Sequence, residues 1–149
     1  MKTVFDQSTR DELIARINSL DETSMAQWGK MNLYQMLKHC TIWDEWMLGV
    51  NNPVYEQSWL GKIFGKMALK SSLSDKPLKR NMPAGAGFTT KQSHGDIYLQ
   101  KKKWMELIAA YAHYSNPNFI HDFFGKMNKD QIGIFAYKHS DHHLRQFGV

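Results

Sequence analysis

With 149 residues, 42% of them hydrophobic and 22% charged, the chain is the size of one globular domain (1–149) able to bury a real core. Its apolar runs fall far short of the ~20 residues of a membrane-spanning helix, and Met1–Asp6 lacks the apolar stretch of a secretory leader. A single cysteine, Cys40, excludes an intramolecular disulfide and a zinc–thiolate cluster, so a cytoplasmic location is expected, with no membrane among the partners. The net charge of +5 gathers between Trp59 and Arg80, where Lys62, Lys66, Lys70, Lys76, Lys79 and Arg80 face Asp75 alone. A solvated basic face is the simpler reading, because no nucleic-acid motif accompanies it.

The first helix is expected to start at Ser8 or Thr9, since Ser8-x-x-Asp11 and Thr9-x-x-Glu12 both have the capping-box pattern. Leu13, Ile14, Ile17 and Leu20 then follow at helical spacing. Asp21–Ser24 reads as a turn, and Asn32 as the N-cap of a second helix ending near Gly49. Asn51-Asn52-Pro53 breaks the chain. A short, basic, amphipathic helix over 59–70 is expected to bury Leu60, Ile63, Phe64 and Met67. Pro77, Pro83, Gly85 and Gly87 make the stretch to Gly95 irregular. A third long helix spans about 96–114, with Ile97, Trp104, Leu107, Ile108 and Tyr111 on one side. Asn128, with Gln131 three residues on, caps a last helix reaching about Gln146. The expected fold is all-α: four main helices in a bundle, with a long connection between the second and third carrying a short extra helix.

Helical geometry separates the seven histidines. At about 100° per residue, Ile132 lies near +20° and His143 near +40° of His139, with Phe135 and Gln146 also within about 40°. His139 and His143 therefore share the core-facing stripe one turn apart. His142 lies about 60° to the side, and Asp141 points away. On the second helix, Gln35, Met36, Trp43 and Trp46 flank His39, while Tyr34, Lys38, Thr41 and Glu45 take the far side. His113 lies opposite Trp104, and His94 and His121 sit in loops without recognisable spacing.

Each buried imidazole needs partners for two ring nitrogens, and one shared divalent ion would satisfy three of them together. Hydrogen-bonded core histidines are the competing reading. If an ion binds, His39, His139 and His143 form a His₃ set with open positions, the arrangement of catalytic rather than structural sites. Neutral imidazoles suit zinc, nickel, copper or iron. Cys40 projects about 100° from His39 and is read as packing. Gln35 and Gln146 are candidates for orienting ligands or substrate. His142 is either a proton-transfer group at the pocket mouth or an exposed neighbour of the pair. Trp43 and Trp46 are read as core rather than pocket wall.

Several segments also resemble the DinB/YfiT-like superfamily, and within it an uncharacterised bacterial DinB-like subfamily. They are Gln27–Asn32, Gln35–Cys40, Pro77–Pro83, Phe123–Lys126 and Tyr137–Gly148. The resemblance spans essentially the whole chain, and its most specific part is the terminal His-rich motif. It implies a four-helix bundle and metal ligands at His39, His139 and His143. It also implies a metal, zinc or nickel foremost, that in some relatives activates a low-molecular-weight thiol. The resulting expectation is a metal-dependent transferase or hydrolase acting on a small, anionic substrate. A non-catalytic metal- or small-molecule-binding bundle is the alternative. Nucleic acid is not an expected partner, whereas a homodimer is.

Overall fold

The computed structural model describes residues 1–83, 85 and 87–149. The helices are α1 Gln7–Ser19, α2 Leu33–Leu48, α3 Trp59–Ser72, α4 Ile97–Ala110 and α5 Lys129–Gln146, with a 3₁₀ turn Tyr111–His113 closing α4. Among the described residues the only β pairing is an isolated bridge between His121 and Gly125. The fold is all-α.

The chemistry of the caps explains where most helices start. Asn32 accepts from the Gln35 N–H while the Gln35 side chain accepts from the Asn32 N–H, and Asn128 and Gln131 repeat this box at α5. Asp96 and Ser58 accept from Leu99 N–H and Gly61 N–H at α4 and α3. Gly49, at φ 78°, ends α2 in the left-handed conformation that a side chain would resist. Helix α1 departs from expectation. It begins at Gln7 behind Asp6, whose side chain makes no capping bond, and neither predicted box forms. Thr9 is buried, because this end is held instead by Arg10, which donates to the carbonyls of Val4 and Phe5.

Helix α2 packs on α4 and α5, and α1 packs on the same two, around a buried apolar core. Leu13, Ile17, Met36, Leu37, Trp104 and Leu144 lie wholly inside it. Two links tie α1 to its neighbours: Arg16 with Asp141 of α5 at 2.9 Å, and Lys101 of α4 with the Asn18 carbonyl at 2.8 Å. Sandwiched this way, α2 is buried on more than its His39 stripe. Tyr34 and Thr41, expected on its far side, are inside, and the Thr41 hydroxyl lies near Gln100 of α4. Asp44 is fully buried on the same side, accepting from Trp104 Nε1 (2.9 Å) and the Tyr111 hydroxyl (2.7 Å).

Helix α3 differs most from expectation. At 14 residues it equals α4 in length, so it is no short insert. It is also turned over: Gly61, Gly65 and Leu69 face inward, while Leu60, Ile63, Phe64 and Met67 are exposed. Close approach is the reason. A Cβ on Gly61 or Gly65 would stand 2.4 or 2.1 Å from the Phe123 carbonyl oxygen, so only glycine lets the helix lie on that backbone.

Candidate metal centre

The two capped helices α2 and α5 bring His39, His139 and His143 together across their interface. All three are buried, and one ligand nitrogen from each lies within 4.8 Å of the others. The ring centroids of His39 and His143 are 4.7 Å apart, and those of His139 and His143 4.8 Å. Of the seven histidines, these are the three that sequence geometry placed in core-facing stripes. His113, opposite Trp104, is exposed, as expected, and so is the loop residue His94.

The second nitrogens decide what this cluster can do. His39 Nδ1 donates to the Phe88 carbonyl at 2.7 Å, so its proton is there and Nε2 carries the lone pair. Gln146 Nε2 donates to the Trp28 carbonyl at 2.7 Å, which aims Gln146 Oε1 at His143 Nδ1, 2.9 Å away. Oε1 can only accept, so His143 is also protonated on Nδ1 and presents an Nε2 lone pair. His139 Nε2 stands 3.1 Å from His39 Nε2, while its Nδ1 is buried without a partner. Trp43 stacks on the His139 ring at 4.0 Å and holds it in place.

Electrostatics points the same way. Burial pushes the basicity of His39 down, and burial plus the neighbouring imidazoles push His139 well down. Burial, aided by His39, takes His143 to about 3. All three are therefore neutral at pH 7, the form that ligates metal. An uncharged cluster with inward lone pairs and one orphaned nitrogen is one that could hold a metal ion. Ligands on opposite sides of one ion are at most about 4.2 Å apart at metal–nitrogen distances near 2.1 Å. In the tetrahedral arrangement of a zinc site they stand about 3.4 Å apart, so the widest pair, within 4.8 Å here, would close by up to about 1.4 Å.

The family described as "Protein of unknown function (DUF1569)" matches residues 3–148. The chain belongs to the DUF1569 family. No curated protein and no solved structure was found to match it.

Other residues of this DUF1569 protein fall around the cluster in roles only partly foreseen. His142 is half-buried beside His143, its ring edge-on to Trp28 at 5.9 Å, with Arg80 lying 4.1 Å over the Trp28 ring. Burial and then Arg145 lower its pKa, so it too is neutral at pH 7. Gln146 orients a ring, as expected of it. Gln35 does not: its carboxamide is spent on the α2 capping box. Cys40 is buried with its thiol toward the Met36 sulfur, a packing role. Trp46 belongs to an aromatic cluster with Tyr55, Phe88, Phe119 and His121. His121, unremarkable in sequence, is buried there, with its Nδ1 accepting from the Phe123 N–H. Sequence reasoning also missed the carbonyls of Phe88 and Trp28, because any residue supplies a carbonyl.

Proposed function

We propose that this DUF1569 chain is a DinB-like four-helix-bundle metalloenzyme, a transferase or hydrolase, in which His39, His139 and His143 hold one divalent transition-metal ion. The observation that carries this reading is the pair of fixed tautomers. Two buried imidazoles, each with Nδ1 engaged, turn their Nε2 lone pairs toward a third whose own Nδ1 has no partner. Zinc and nickel suit such neutral nitrogen donors. When bound, the ion would lower the pKa of a coordinated water or thiol, or polarise a substrate oxygen. The ring of α1, α2, α4 and α5, with α3 carried on the second connection, supports the DinB-like assignment.

The protein's own groups have distinct parts in this reading. Phe88 and Gln146 fix the rings, and Trp43 packs one ligand against movement. His142, neutral and half-buried next to the ligand pair, accepts and returns a proton at its ring nitrogen. Arg80, on the Trp28 ring, and the exposed Lys79 favour an anionic small molecule or a thiol co-substrate bearing carboxylates.

One observation favours the non-catalytic reading. The three histidines are only 4 to 9% exposed, and two open cavities of about 300 and 160 Å³ are lined by other residues. Metal-loaded protein and the His39→Ala/His139→Ala/His143→Ala variant would be compared in thiol-transfer and hydrolysis screens. Turnover by the loaded protein alone is the expected result. Metal binding with no difference across a broad panel would leave a binding module.

A further inference from the structure

We propose that α3 docks the protein onto an anionic lipid surface. Trp59, Leu60, Ile63, Phe64 and Met67 are 73, 53, 54, 48 and 70% exposed, and they share one side of the helix. With Trp59 at zero, these five residues spread over about 140° of the wheel, while Gly61, Gly65 and Leu69 centre roughly opposite them. A contiguous apolar face of this kind marks an interaction surface, not scattered exposure.

The helix is fixed in this orientation. The Ser58 N–H donates to the Asp122 carbonyl (2.7 Å), and Gln57 Nε2 donates to that of Phe123 (3.1 Å). Leu69 is inserted into the core. Rolling α3 to bury its apolar side would replace glycine with bulk at a backbone contact that admits no Cβ.

Charge selects the occupant. Lys62, Lys66 and Lys70 line one flank of the apolar face, all exposed, and α3 contains no acid. Lys66 reaches the Lys126 carbonyl, which brings a fourth exposed lysine to the same flank. A two-fold dimer through α3 would set this face against itself and offer its lysines no acid from the partner's α3. The outward side of one helix is a convex ridge with no groove for a partner's side chains, whereas a bilayer interface moulds around a ridge. An apolar face carrying Trp, Phe and Leu, edged by lysines with flexible stems, matches an interfacial helix on acidic lipid. No helix among the described residues is long and apolar enough to cross a membrane, so the contact is peripheral. The absence of a membrane partner was expected from the sequence because no apolar run is long enough to span a bilayer, and a peripheral contact through α3 needs no such run.

The test is co-sedimentation of the full-length protein with phosphatidylcholine vesicles, with and without phosphatidylglycerol. Partitioning should be roughly tenfold or more stronger on the anionic vesicles and should fall as salt is raised. Ile63→Ser/Met67→Ser and Lys62→Gln/Lys66→Gln/Lys70→Gln should each weaken it by roughly tenfold or more. Circular-dichroism melting should be little changed, because the substituted side chains are exposed. No partitioning, or partitioning indifferent to these variants, would overturn the proposal. So would self-association in ultracentrifugation that Ile63→Ser/Met67→Ser abolishes without any vesicle binding, or binding to polyglutamate but not to vesicles.

Discussion

Gln146 joins two parts of the molecule through one carboxamide: its nitrogen is held by the Trp28 carbonyl, and its oxygen fixes the His143 proton. Gln146→Ala should therefore weaken metal binding by roughly 10- to 100-fold, the usual scale for a group that orients a ligand. Titration calorimetry would read this against His139→Ala, expected to abolish binding, and His142→Ala, expected to leave it nearly intact. Equal losses at His139 and His142 would mean that the ligand set is wrong. At this scale the three ligand candidates were legible because each lies within an apolar stripe, where an unpaired imidazole is costly. Asp44 was not legible. A lone acid in a helix reads as solvent-facing, and its partners Trp104 and Tyr111 come from a different helix about sixty residues on. The carbonyls on His39 and Gln146 leave no mark in residue identity at all.

The long helices α2, α4 and α5 were readable from their caps and periodicity: α2 and α5 carry full capping boxes, and Asp96 caps α4. Helix α3 was placed correctly along the chain but turned the wrong way. Periodicity identifies two faces without saying which one is buried, and the usual inference gives the core to the larger apolar side chains. Here the deciding signal is Gly61-x-x-x-Gly65, a narrow strip that permits backbone contact with Phe123. Gly65→Ala tests that explanation. Overpacking against a backbone oxygen costs about 1–3 kcal/mol, which outweighs the ~1 kcal/mol that alanine gains in helix propensity. Amide exchange in α3 should accelerate while α2 and α5 stay protected and metal binding is unchanged. Unaltered protection in α3 would show that the glycine contact does not hold it.

Over the whole molecule, two opposing proton linkages act on the metal-free fold. The pKa values of His39, His139 and His143 are lowered on folding, so their contribution is present above pH 6.5 and is lost as pH falls, toward about 3 for His143. Burial raises Asp44 to about 7 despite its two donors, so its contribution is present at acid pH and is lost as pH rises through 7. Each group changes stability by about 1.4 kcal/mol per pH unit inside its window. Three imidazoles outweigh one carboxyl, so the urea midpoint of metal-free protein should fall between pH 7 and pH 4.5. A rising midpoint would contradict this balance. The most direct test of the metal centre is elemental analysis of untagged protein, as purified and after incubation with zinc or nickel followed by desalting. About one equivalent of a divalent transition metal per chain is predicted, lost in His139→Ala. Less than about a tenth of an equivalent under every condition would contradict it.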